Sequence, residues 1–270
     1  MLRNVGVESI LVNGTTGEFP SLTLTERKMA LEFCREQFSG EVMNNIGTCC
    51  ISDSLELLTH SNDFADAVVV LPPFYFAPVS ALGLKEFFVA VLSKAGIPTY
   101  LYNFPRYTQI SISPELLQRI SKEVGSLQGV KDSDSGLGSA ISLKQANPHL
   151  QVLSGSDDSL VEAHSAGLDG VVTGGCNAFP ELLCSINGAA MSGHTEKALT
   201  LQRLFDRWKQ FLQRTSLDCI SAVKLGIFTR ITGYPYHVRP PLVTAEQKLE
   251  HQAAVLVTSL LDELESIRNF

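Results

Sequence analysis

Four short stretches carry residues whose types and spacing could do chemistry. Lys131 follows an apolar, strand-like run containing Leu127, Gly129 and Val130. Burial favours the neutral form of an amine, and a neutral amine in a dry pocket adds to a ketone to form a Schiff base. Tyr102 ends a second such run, "PTYLYN", where a phenol facing a pocket relays protons. In "NGTTGEFP", Thr15 and Thr16 lie between Gly14 and Gly17. Two hydroxyls beside glycine-flanked N–H groups make an anion cradle, although the G-K-[ST] part of a phosphate loop is absent. In "SGSDDS", Asp157 and Asp158 can accept hydrogen bonds from substrate hydroxyls, or one of them can cap a helix. Each stretch alone also has a plainer reading: a solvated lysine, a core tyrosine, a turn, a cap.

Two further patterns are excluded. "KDSDSG" resembles the opening of a calcium loop through Asp132, Asp134 and Gly136, but Leu143 stands where the bidentate Glu belongs. Histidines 60, 149, 164, 194, 237 and 251 show no ligand spacing, so no metal site is expected.

The elements that must position these residues alternate. Apolar or β-branched runs recur at 7–12, 42–46, 67–71, 98–101, 127–130, 151–153 and 170–173. Between them lie segments of helical length, such as 24–38 and 114–124, the latter opening with Ser113 as N-cap and Pro114 at the first helical position. Buried strands alternating with amphipathic helices predict a parallel sheet with right-handed crossovers. In a closed parallel barrel all strand C-termini open on one mouth, where Thr15, Thr16, Tyr102, Lys131 and the 155–158 stretch would converge.

A barrel of this class needs eight strands and seven are visible. "LRNVGVE" reads as the tail of a helix leading into a strand. The expectation is therefore an α/β protein, a (β/α)8 TIM barrel lacking the first strand and most of the first helix. Helices are expected at 180–191, 195–214, 218–230 and 244–267 with no Gly/Ser/Pro-rich linker before them. The barrel core is assigned to 1–176, and the C-terminal helices at 177–270 are expected to pack on the same domain.

The 270 residues are 44% hydrophobic and 18% charged, which suits a protein with a sizeable core. A net charge of -7 argues against nucleic acid or an anionic membrane as the main partner. The apolar runs fall short of a membrane span, and the N-terminus lacks the apolar segment of a secretory signal. Six cysteines without C-x-x-C spacing read as buried or semi-buried thiols in a reducing cytosol, so a cytoplasmic protein is expected.

The motifs together carry a resemblance. "GTTGEFPSLTLTER", "LPPFYFAP", "YLYNFP", "GVKDS", "QVLSGSDD" and "DGVVTGGCN" occur in the order and spacing of the class I pyruvate aldolase superfamily. This is the dihydrodipicolinate synthase and N-acetylneuraminate lyase family, and the likeness covers nearly the whole chain. It implies a (β/α)8 barrel and a Schiff base between pyruvate and Lys131. Tyr102 matches the tyrosine that moves protons as the C–C bond forms or breaks. Thr15 and Thr16 match the pair that holds the pyruvate carboxylate, and Thr15 also links the proton relay. Tyr75 aligns with a relay tyrosine that reaches into a neighbouring subunit's site, and Phe74 at its partner position leaves that relay half preserved. Val172 aligns with the residue whose backbone carbonyl lies near the pyruvate enol. The likeness also implies a homotetramer built as a dimer of dimers. The protonated imine is itself the electron sink, so no cofactor is implied.

Within the family, "YNFP", "GVKDS" and "GSDD" resemble the aldolases that split 2-keto-3-deoxy sugar acids into pyruvate and an aldehyde. Ser133, Asp157 and Asp158 then become the groups that meet the substrate's hydroxyls. Dihydrodipicolinate synthases carry an arginine two residues after the motif's proline, where this chain has Tyr107, with Arg106 one place earlier. "GEFPSLT" and "VKDS" are also similar to 4-hydroxy-2-oxoglutarate aldolases. The alternative from another class is a non-catalytic barrel that binds a keto acid or a partner protein. The short N-terminus motivates it, because strands ending at Val12 and Thr173 would keep open edges.

Overall fold

The computed structural model describes Leu2 and residues 5–268. Its seven strands are β1 (Ser9–Val12), β2 (Glu41–Asn45), β3 (Ala67–Val70), β4 (Thr99–Asn103), β5 (Leu127–Asp132), β6 (Gln151–Ser154) and β7 (Gly170–Val171). All pair in parallel with their sequence neighbours, in the order β1 to β7. Each lies within a few residues of the run that predicted it. The helices are α1 (Leu24–Gln37), α2 (Ile51–Phe64), α3 (Ala81–Leu92), the single turn α4 (Pro105–Thr108), α5 (Pro114–Glu123), α6 (Gly138–Ala146) and α7 (Leu160–Ser165). After the last strand come α8 (Pro180–Met191), α9 (Thr195–Gln213), α10 (Cys219–Phe228) and α11 (Gln247–Arg268).

Local chemistry starts these helices. Thr23 and Glu26 form a reciprocal capping box on α1. The Ser113 hydroxyl accepts the Leu116 N–H at 3.2 Å, with Pro114 at the first helical position of α5. Asp218 caps α10 by accepting from Ile220 and Ser221 at 2.9 and 3.0 Å.

The chain forms two compact units. One is Glu8–Gly14 with Leu22–Thr173 and holds the whole sheet with α1 to α7; the other is Met1–Val7, Thr15–Ser21 and Gly174–Phe270. In the first, Val68, Val70, Leu101, Val130 and Val152 from one face of the sheet pack with Leu57, Leu58, Leu84, Phe88, Leu117 and Ile120 from the helices. Strand side chains alternate between faces, so Tyr100, Tyr102 and Lys131 lie on the face turned away from this helix layer. In the second unit, Phe179, Phe205 and Trp208 are almost fully buried and meet edge-on.

Candidate active site

One irregularity aims Lys131. Leu127 and Val130 both belong to the helix-facing core, although residues three apart on a regular strand point to opposite faces. The register resolves the conflict. Thr99 pairs with Leu127 but Tyr100 pairs with Gly129, which leaves Gln128 as an extra residue, a bulge that re-aims the rest of the strand. Gly129 is required beside it, because a Cβ there would come 2.2 Å from the Gln151 carbonyl oxygen. Past the bulge, Tyr102 and Lys131 are register partners on the inner face.

The two side chains touch. Lys131 Nζ donates to the Tyr102 hydroxyl at 2.9 Å and lies 4.0 Å from its ring centroid. Lys131 is 8% exposed and Tyr102 1%, so an amine and a phenol meet with little water around them. Phe104 stacks on Tyr102 at 5.6 Å and Tyr107 meets Phe104 edge-on at 4.7 Å. An aromatic column thus runs from buried Tyr102 out to exposed Tyr107.

Behind Lys131, on the helix side, lies a polar network. Asp132 Oδ1 accepts from Asn103 Nδ2 at 2.5 Å and from Ser139 Oγ at 3.0 Å, while Asn103 Oδ1 accepts the Ile112 N–H at 2.9 Å. Asp132 Oδ2 is buried without a partner among the described residues. Burial pushes the Asp132 carboxyl above its ordinary range, against the opposing hydrogen bonds from Asn103 and Ser139. In the sequence Asp132 stood out only as part of a calcium-like loop; its place beside Lys131 on a buried strand was the available signal.

A second network ties β1 to β2. Asn13 Nδ2 donates to Asn44 Oδ1 at 2.8 Å, Asn45 Nδ2 to the Asn13 carbonyl at 2.8 Å, and the Arg27 guanidinium to the Asn45 carbonyl at 2.6 Å. Burial lowers Arg27 to about 10, opposed by the charge of Asp53. Sequence reasoning passed over Arg27, whose signal was a charge four residues before the buried Leu31 on α1.

The other predicted residues are spread over several loops and strand ends. The Ser133 N–H donates to the Asn103 carbonyl at 2.8 Å, and the Ser133 side chain lies against Gly155, where an added Cβ would come 1.9 Å from Ser133 Oγ. Asp157 is half-buried and Asp158 exposed in the turn after β6. Ser159, rather than either aspartate, holds the N-cap position of α7. The Val172 N–H donates to the Ser154 carbonyl at 2.8 Å. Tyr75 is 81% exposed, edge-on to Phe76, in the β3–α3 connection and outside the Lys131–Tyr102 contact.

Thr15 and Thr16 belong to the other unit. They form a single 3-10 turn over Thr15–Gly17, both half-buried, closed by the Glu18 N–H on the Thr15 carbonyl at 3.0 Å. Gly174 is pressed against Thr16: a Cβ there would stand 2.7 Å from Thr16 Oγ1. Among the described residues no three His, Cys, Asp or Glu side chains are grouped to hold a metal ion, and no helix is long and apolar enough to cross a membrane.

Known proteins resemble this chain over most of its length. A protein of Saccharolobus solfataricus named 2-dehydro-3-deoxy-phosphogluconate/2-dehydro-3-deoxy-6-phosphogalactonate aldolase is 29% identical over 265 residues, covering 97% of this chain and 85% of that one. A Thermoproteus tenax protein named 2-dehydro-3-deoxy-D-gluconate/2-dehydro-3-deoxy-phosphogluconate aldolase is 33% identical over 206 residues, covering 76% and 66%. Among solved structures, the Sulfolobus 2-keto-3-deoxygluconate aldolase in complex with D-KDPG superposes with a TM-score of 0.89 at 28% identity, covering 99% of this chain and 89% of that one. The seven-stranded parallel sheet is thus that of a TIM-type (β/α) barrel. The Dihydrodipicolinate synthetase family matches residues 2–260, and this chain belongs to that family.

Proposed function

We propose that this protein is a Schiff-base aldolase that splits a 2-keto-3-deoxy sugar acid into pyruvate and an aldehyde. The observation that carries the reading is the buried Lys131 amine, 2.9 Å from the Tyr102 hydroxyl on the inner face of the sheet. The names of the relatives support the substrate class.

Lys131 is the nucleophile. Its amine adds to the C2 carbonyl, and loss of water leaves a protonated imine. Tyr102 takes the proton of the C4 hydroxyl as its own phenolic proton passes on to the Thr15 end of the relay. The C3–C4 bond breaks, its electron pair moves into the imine, and the aldehyde leaves. The resulting enamine is protonated at C3, and water hydrolyses the imine to release pyruvate and restore Lys131. Thr15 and Thr16 hold the carboxylate, and Thr15 extends the proton relay. Tyr75 serves that relay from a neighbouring copy in a homotetramer. The Val172 carbonyl lies near the enol, while Ser133, Asp157 and Asp158 meet the sugar hydroxyls. The exposure of Tyr75 in the single chain fits a side chain covered by another copy. We place the enzyme in the cytoplasm, in keeping with six cysteines that lack C-x-x-C spacing, although Cys50 and Cys219 are exposed rather than buried.

The test is direct. The protein incubated with pyruvate and reduced with borohydride gains one reductively attached pyruvate on Lys131, and Lys131→Ala gains none. An unmodified mass, or a label on another lysine, refutes the mechanism. Pyruvate release from a panel of keto-deoxy acids tests the substrate; activity confined to condensing pyruvate with aspartate semialdehyde overturns the sugar-acid assignment.

A further inference from the structure

The turn that carries Thr15 and Thr16 leads at once to a charged group that the proposed reaction does not use. Glu18 is 4% exposed and sits in the left-handed region at φ 55°. Non-glycine residues hold that conformation only where their surroundings over-determine it. Here they do. The Glu18 carboxylate accepts from Lys224 Nζ on α10 and from the Arg239 N–H at 2.8 Å. Lys224 Nζ also donates to the His237 carbonyl at 3.0 Å, and the Arg239 guanidinium donates to the Ser21 carbonyl at 2.8 Å. The turn is thereby bonded, on its C-terminal side, to a helix and a loop more than 200 residues away in sequence.

A turn of this size closes through its own backbone bond, already present between Glu18 and Thr15. An ion pair whose carboxylate end is buried is a costly addition to it. Its charge has a direct consequence. A carboxylate two residues from an anion cradle repels the anion unless a cation offsets it, and Lys224 supplies that cation. We propose that Glu18 is a positioning residue: clamped by Lys224 and the Arg239 N–H, it fixes the Thr15–Thr16 turn in the shape that receives the keto acid's carboxylate. The helices after the last strand thus complete the binding of the substrate's acid end. This inference rests on the reading of Thr15 and Thr16 as the carboxylate cradle.

Trapping of pyruvate on Lys131 by cyanoborohydride, monitored by mass across a range of pyruvate concentrations, separates binding from chemistry. In Glu18→Gln the half-saturating pyruvate concentration should rise roughly ten- to a hundredfold, while the limiting trapping rate stays within about threefold. Lys224→Gln, which strands a bare carboxylate beside the cradle, should raise half-saturation at least as far, and E18Q/K224Q should be less impaired than K224Q. A generally loosened fold would not restore binding in the double variant. A folded E18Q with unchanged half-saturation, or one that loses only limiting rate, overturns the proposal; so does a double variant no better than K224Q. If E18Q melts below the assay temperature, K224Q against the double variant decides. Wild-type protein that takes no label on Lys131 overturns the aldolase reading, and this inference with it.

Discussion

Gly155→Ala tests how tightly the ends of β5 and β6 are fitted together. The Gly155 N–H donates to the Asp132 carbonyl at 2.7 Å, so the two backbones are bonded at this point. An added Cβ would stand 1.9 Å from Ser133 Oγ, 2.9 Å from Ser133 Cβ and 3.2 Å from the Asp132 oxygen. Rotating Ser133 removes the first collision. It cannot remove the second, because both Cβ positions are set by the backbone. Carbon atoms pack at about 3.5–4.0 Å, so the strands must part by about 0.5–1 Å. Overpacking of this kind costs about 1–3 kcal/mol, and each kcal/mol lowers the melting temperature by about 2–4 °C at this chain length. Lys131 lies two residues before Ser133 on the strand that must move. A misplacement of about 1 Å at a reacting group costs on the order of a hundredfold in rate, so kcat/KM for pyruvate release from 2-keto-3-deoxygluconate should fall by about ten- to a hundredfold. Ser133→Gly removes both colliding atoms. S133G/G155A, left with only the 3.2 Å contact to the Asp132 oxygen, should therefore recover most of the melting temperature and kcat/KM that G155A loses. A G155A protein within about twofold of wild type in kcat/KM with an unchanged melt, or a double variant as damaged as G155A, refutes the reasoning.

Two further predictions concern β4 and β5. Tyr102→Phe keeps the ring and removes the hydroxyl proposed to carry the proton. Its kcat should fall by about 10²–10⁴-fold while pyruvate can still be trapped on Lys131; a kcat within tenfold of wild type, measured as pyruvate release, removes Tyr102 from the relay. Asp132→Asn should shift stability with pH. Burial raises the Asp132 carboxyl above its ordinary 3.8, so its contribution to stability is full below that value and is lost as pH rises through the raised one. Asn keeps the oxygen that Asn103 and Ser139 donate to and never ionises. The melting temperature of D132N minus that of wild type should therefore grow as pH rises above the ordinary 3.8, and a difference that stays flat or shrinks contradicts the burial argument.

The strands and helices were legible because local pattern determines them. A run such as Ala67–Val70, buried throughout, reads as strand from its β-branched content alone, and Ser113 with Pro114 announces its helix within two residues. The close fits were not legible, because their partners are distant in the chain. Nothing near Gly155 points to Ser133, 22 residues before it, and nothing near Glu18 points to Lys224. Side-chain alternation fails at one place, and that place is decisive. Read with a period of two, "LQGVK" puts Leu127, Gly129 and Lys131 on one face. The structure buries Leu127 and Val130 together in the helix layer, which only the extra residue Gln128 allows. A strand anchored at Leu127 without that bulge would carry Lys131 on the helix side, since a slip of one residue moves every later side chain to the other face. The amine meets the Tyr102 hydroxyl because one unpaired residue, placed three positions before it, turns the strand.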